Sequence, residues 1–215
     1  MTNIYNLFKF LEDKEGTETP FNVKLIHAPD ALTPDELIID GNLDLRNSPI
    51  TSLPDGLEVK GVLFLNHTRI TSLPDDLTVG SALYLSNTPL TSLPARLTVG
   101  SALYISDTPL TSLPDDLKVG GSLHLVDTPI TSLPDDLKVG SSLYLDNTQI
   151  TSLPDNLTIG RTLDISGMEI TTIPTGLKVD GTLKLKGTPL AKNYSKEEIR
   201  KMIEEKGGEV KVIFT

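Results

Sequence analysis

Between residues 61 and 160 the chain spells one phrase five times: GVLFLNHTRITSLPDDLTVG, SALYLSNTPLTSLPARLTVG, SALYISDTPLTSLPDDLKVG, GSLHLVDTPITSLPDDLKVG and SSLYLDNTQITSLPDNLTIG. The period is twenty residues, without a slip. A period of this size dictates a solenoid, because one unit is too small to bury its own apolar residues and its neighbours must cover its edges. The register continues downstream through RTLDISGMEITTIPTGLKVD and GTLKLKGTPL, and upstream through GNLDLRNSPITSLPDGLEVK. Residues 21–40, FNVKLIHAPDALTPDELIID, fit as a worn copy: Val23 and Leu25 fall one period before Leu43 and Leu45, and Pro34, Leu37 and Ile39 precede Pro54, Leu57 and Val59. The expected organisation is a helical cap over residues 1–20, a solenoid over 21–190 and a helix–strand cap over 191–215.

The path of one coil follows from its apolar positions, which in the copy from Ser81 are Leu83, Leu85, Leu90, Leu93, Leu97 and Val99. Leu83 and Leu85 flank Tyr84 with a period of two, the mark of a short strand with its leucines inward and its tyrosine outward. Stacked coils then form a parallel sheet along one side. Pro94 fixes its own φ and biases Leu93 towards an extended conformation, so the return path is expected to be polyproline-like, with Leu90 and Leu93 inward. At each coil boundary one of two adjacent residues is glycine: Gly41, Gly61, Gly80, Gly100, Gly120 with Gly121, Gly140, Gly160 and Gly181. A backbone site that needs positive φ or close approach demands this.

Leu-x-Leu-x-x-Thr-x-Leu-Thr-x-Leu-Pro, from Leu83 to Pro94, resembles the short leucine-rich repeat of secreted bacterial effectors and of many bacterial and phage proteins. The resemblance implies a leucine-rich-repeat-like solenoid, a fold that hosts many binding functions. Two departures stand out. The family's coil-linking asparagine is mostly threonine here (Thr68, Thr88, Thr108, Thr128, Thr148, Thr188), and glycine replaces a leucine before the strand, so lateral hydrogen bonding is expected to differ. Related effectors can carry a cysteine ubiquitin-ligase domain; this chain has no cysteine and no spare length for one, so that activity is not expected.

Lack of cysteine removes disulfides, zinc–thiolate sites and thiol nucleophiles and fits a reducing cytoplasm. The formal charge of −10 argues against a nucleic-acid or anionic-membrane partner, which needs clustered Lys and Arg. MTNIYNLFKFLEDKEG lacks the features of a signal peptide, and no apolar run is long enough to span a bilayer. The expected location is cytoplasmic, with delivery into a host cell left open. Residues 3–12 place Ile4, Leu7, Phe8 and Leu11 on one helical face, suited to covering the open first coil. At the other end Ser195 and Glu198 form a capping box for a helix to about Lys206, with Ile199, Met202 and Ile203 inward and Gly207 and Gly208 as its stop. Glu209 to Phe214 then reads as one more parallel strand, with Val210, Val212 and Phe214 on one side.

The outward residue at each strand centre is in turn Asp44, Phe64, Tyr84, Tyr104, His124, Tyr144, Asp164 and Lys184. Five rings follow one another. Ala82, Ala102, Ser122 and Ser142 on one flank are small, so the rings are expected to stand clear; Asn66, Ser86, Ser106, Val126 and Asp146 lie on the other, with Asn87, Asp107, Asp127 and Asn147 beyond. An aromatic stripe rimmed by polar groups has the composition of a protein-binding surface, and Phe64, Tyr84, Tyr104, His124, Tyr144 and Asp146 are the candidate contact residues. The competing reading is a purely structural repeat protein whose rings only stabilise neighbouring strands.

Asp75 with Asp76, Asp115 with Asp116, Asp135 with Asp136, and Asp155 recur on the turn side. Carboxylates in line allow a second alternative, an acidic mimic of DNA that decoys a nucleic-acid-binding enzyme, although aspartate after proline is also ordinary turn chemistry. Catalysis finds little support. His27, His67 and His124 lie on different coils without metal-ligand spacing, and a grouping of Ser106, His124 and Asp146 has no visible oxyanion hole. The expectation is a non-catalytic scaffold with no catalytic or metal site and no cofactor. It binds an unidentified protein and neither nucleic acid directly nor a membrane.

Overall fold

The structure, a computed structural model, describes residues 21–29 and 32–215. The helix expected over residues 3–12 lies outside them. The described chain is a parallel β-solenoid of about seven coils of roughly twenty residues.

Leu83–Tyr84 pairs in parallel with Leu63–Phe64 before it and Leu103–Tyr104 after it, like residue on like. The Leu83 amide donates to Ala102 O at 2.9 Å and that of Leu85 to Tyr104 O at 2.8 Å, so the twenty-residue offset is held by backbone hydrogen bonds. All six apolar positions of this coil are buried, and the buried side chains form one core that runs from Leu25 to Ile213.

A second parallel ladder accompanies the first. Thr78–Val79, Thr98–Val99, Lys118–Val119 and Lys138–Val139 pair in order, where the sequence reading expected only a turn. Its cause is visible in hindsight: Leu97 and Val99 flank Thr98 with the same period of two. The two ladders meet at the Gly100–Ser101 corner of each coil and fuse in the seven-residue strand Lys178–Lys184.

This corner decides between the two reasons for glycine. No residue there has positive φ. Instead a Cβ built on Gly100 would collide with the Gly80 carbonyl oxygen, and one on Gly140 with that of Gly120, so close approach is the requirement. Positive φ occurs at the opposite corner, where Asn47, His67, Asn87, Asp107, Asp127 and Asn147 have φ of 55–59° and Gly167 and Gly187 take over later. Short polar side chains tolerate this region as β-branched ones do not. The next residue, usually threonine, locks the turn: Oγ1 of Thr68, Thr88, Thr108, Thr128 and Thr188 donates at 2.6–2.9 Å to the carbonyl three residues earlier. Threonine thus bonds within its coil, while the lateral link is carried by the backbone, as from Asn87 N–H to Ser106 O at 3.1 Å.

The ends correct two expectations. Phe21–His27 forms a helix, α1, not the strand that Val23 and Leu25 suggested. The segment lacks the glycine corner that precedes a true strand, and Lys24 and His27 in its last turn complement the helix dipole. Leu25 is buried in the core, and Lys24 Nζ meets Glu36 Oε1 at 2.9 Å, tying α1 to the first coil. The worn copy becomes regular only at Ile38–Ile39, which pairs with Glu58–Val59.

At the far end Thr188 caps a short helix, α2, Pro189–Asn193, which was not expected. Helix α3, Lys196–Glu205, has the capping box of Ser195 and Glu198, buries Ile199 and Ile203, and is followed by Gly207 at φ 72°. Glu209–Phe214 adds a parallel strand to Lys178–Lys184, as expected, but its inward residues are Val210 and Ile213. Val212 and Phe214 are 51% and 55% exposed. Asp180 and Gly181 stand between Val179 and Thr182 where the last strand has only Lys211, and this bulge reverses which side chains face in.

Candidate functional site

In-register parallel pairing puts side chains twenty residues apart directly over one another, and the strand centres turn that rule into a stack of rings. Phe64 and Tyr84 have centroids 5.0 Å apart, Tyr84 and Tyr104 4.4 Å, Tyr104 and His124 4.3 Å, and His124 and Tyr144 4.4 Å, with interplanar angles of 7–23°. The column is about 18 Å long. All five rings are half-buried. They do not stand clear, as the small flanking residues suggested: each covers its neighbour's face, and Ala82 and Ser142 are themselves buried. What solvent meets is a row of ring edges and polar tips.

Charge closes both ends. The Arg46 guanidinium lies 4.9 Å from the Phe64 centroid, while its Nε and Nη2 reach the Asp44 carboxylate at 2.9 and 2.6 Å. Those bonds hold the Asp44 carboxyl below its usual range. At the other end Asp164 accepts from Ser166 Oγ at 2.7 Å and from Lys184 Nζ at 3.1 Å. Burial pushes its carboxyl up, but Ser166 and Lys184 outweigh it and the net shift is downward. Within the column, burial lowers the His124 imidazole from its ordinary value, and burial followed by the adjacent Tyr84 raises the Tyr104 phenol.

Between these charged ends, segments 61–66, 81–86, 101–106, 121–126 and 141–145 contain no Lys, Arg, Asp or Glu, in a chain that is 22% charged. Sequence reasoning picked out the rings and missed the absence of charge around them, although laying the repeats one under another displays it. Asp146 is half-buried, two residues past Tyr144, and begins the charged border at that end. Asn87, Asp107, Asp127 and Asn147 form the exposed rim; their identities are also explained by the left-handed corner they occupy, and Asn147 Nδ2 donates to Asp127 Oδ1 at 2.9 Å. A groove of about 440 Å³ beside the first two rings is lined by Arg46, Asn47, Phe64, Asn66, His67 and Tyr84.

Ser106 lies two positions beyond the strand centre that His124 occupies, and among the described residues no hydrogen bond joins it to His124 or Asp146, whose grouping is therefore not assembled. Among the described residues no group of three or more His, Asp or Glu is arranged to hold a metal ion. The acidic turns are exposed but uneven: Asp136 has positive φ and Asp76 and Asp116 do not, Arg96 Nη2 pairs with Asp76 Oδ1 at 2.8 Å, and Asp155 Oδ1 accepts from Thr175 N–H at 2.7 Å. Lys118 and Lys138 line the same groove as Asp115, Asp116 and Asp136. Among the described residues no helix is long and apolar enough to cross a membrane. No protein-family model matches the chain, and no curated protein matches it.

Proposed function

We propose that the chain is a non-catalytic scaffold, of the short leucine-rich type its repeats resemble, that holds a protein partner on the outward strand face. The contact is made by Phe64, Tyr84, Tyr104, His124, Tyr144 and Asp146. The observation that carries this reading is the uncharged strip around a tyrosine-rich column, ended on both sides by ion pairs. Protein interfaces are built in this way, with charge depleted at the centre, tyrosine enriched and a polar rim. Stacking also orders the rings before any partner arrives, which lowers the entropy lost on binding. The polar groove beside Phe64 and Tyr84 offers an anchor at one end of the strip.

The mutual overlap of the rings favours a second reading, a ladder that serves stability alone. One experiment separates the two. Affinity capture from lysate is compared for the native chain, the triple variant Tyr84→Ser, Tyr104→Ser, Tyr144→Ser, and a control with Asp75, Asp76, Asp115 and Asp116 changed to Asn. Binding through the strand face predicts that the ring variant loses a protein that the native chain and the acidic-turn control both retain, with circular dichroism unchanged. Identical capture by all three, with a lower melting temperature in the ring variant, leaves only the structural ladder.

A further inference from the structure

We propose that Tyr84 and Tyr104 form an oxidative cross-linking site, at which a one-electron oxidant such as a ferryl haem or a photogenerated metal complex joins the two rings into dityrosine and staples neighbouring coils. Of all the ring pairs in the column this one is the most nearly parallel, at 7° with centroids 4.4 Å apart. Its strand register is Tyr84 on Tyr104, and the near-parallel stack sets the two ring faces against each other. Phenoxyl radicals couple at the ring carbons ortho to oxygen.

The rest of the chain directs oxidation to this pair. With no cysteine and no tryptophan in 215 residues, tyrosine is the side chain most readily oxidised by loss of one electron. Tyr84 and Tyr104 are the adjacent tyrosines of the column; Phe64 precedes them, His124 separates Tyr104 from Tyr144, Tyr194 lies beyond the solenoid in the C-terminal cap, and the fifth tyrosine, Tyr5, falls outside the described residues. Half-burial leaves ring edges open to an electron acceptor while hindering contact between the rings of two molecules.

The balance is simple. Each phenol gives one electron to the oxidant and one proton to water; the two phenoxyls form a bond between their Cε carbons; each coupled ring then moves its displaced ring hydrogen to oxygen and regains its phenol. The protein loses two hydrogen atoms in total, and the oxidant gains two electrons. The new bond closes a loop of one coil, which restricts the unfolded chain as other cross-links do.

The test uses the full chain, dilute, with a ruthenium tris-bipyridyl photosensitiser and persulfate under a brief flash of visible light. Trypsin cuts after Arg69, Arg96 and Lys118, so a linked pair of peptides 70–96 and 97–118 identifies the bond. Monomeric protein should lose two hydrogens, gain dityrosine fluorescence and yield this linked pair. Tyr84→Phe and Tyr104→Phe, which keep the stack, should each reduce all three signals to background, and Tyr144→Phe should leave them unchanged. Links that involve Tyr5, Tyr144 or Tyr194 instead, links between molecules, or fluorescence undiminished in Tyr84→Phe would overturn the proposal.

Discussion

At Gly100 the backbone passes so near the preceding coil that no Cβ fits, whereas at Asn87 the same coil turns with a full side chain in place and φ of 59°. The first corner is dictated by a neighbour, the second by its own dihedral angles. A change at the first must therefore spread into the stack, while a change at the second stays local, although both corners recur every twenty residues and both attract residues that favour turns.

The largest expected effect tests that contrast directly. Gly100→Ala pushes a Cβ into the Gly80 carbonyl, and since both are backbone, neither can swing away. Separation of the coils should cost about 3 kcal/mol or more, at the upper end of overpacking changes. Asn87→Val, which forces a β-branched residue into the left-handed region, should cost about 1–2 kcal/mol, and Asn87→Gly should be close to neutral. Urea midpoints measured for the three variants should fall in that order. A Gly100→Ala midpoint equal to that of the native chain would mean that the coils are not packed backbone to backbone.

The second corner contains its own comparison. The buried Oγ1 of Thr108 donates to Ile105 O at 2.9 Å, but the buried Oγ1 of Thr148 has no hydrogen-bond partner. Valine has the same shape without the hydroxyl. Thr108→Val should lose about 1 kcal/mol, the net worth of a buried hydrogen bond, and Thr148→Val should be neutral or stabilising. Equal losses at both sites would show that the hydroxyl is not what locks this turn.

The same contrast explains what was legible in the sequence. Period alone places residue 84 over residue 104, so the register, the six-position core and the ring column could all be read from it. Anything set within a coil was harder. The glycine positions were visible but their cause was not, because positive φ and close approach select the same residue. Asn87 and its equivalents looked like the rim of a binding face, since a residue that serves a dihedral and one that serves a partner have the same composition. The second ladder was hidden because nearly all of its strands are only two residues long, and from Thr78–Val79 to Thr158–Ile159 each runs straight into a glycine. Where the repeat decays, at Val23 and Leu25 and again at Val212 and Phe214, alternation persisted in the sequence while a helix and a bulge changed its meaning. The tilt that lays ring on ring has no signature in a one-dimensional pattern.

The smallest effect concerns the site itself. His124 is the one member of the ring column that gains a positive charge on acidification, and burial between Tyr104 and Tyr144 holds its pKa below the ordinary value of 6.5. In the unfolded chain the imidazole binds its proton more readily, so acidification favours unfolding. The stability that depends on neutral His124 is complete above the unfolded value and is lost as the pH falls from there through the folded one. Asp44 and Asp164, whose carboxyls are lowered, act in a separate and more acidic window. His124→Phe keeps a ring in the stack and removes the proton. Melting temperatures taken between about pH 7.5 and 5.5 should decline for the native chain and decline less for His124→Phe. Parallel curves for the two proteins would mean that His124 is as well solvated in the column as in the unfolded chain, and that the stack does not seal its centre from water.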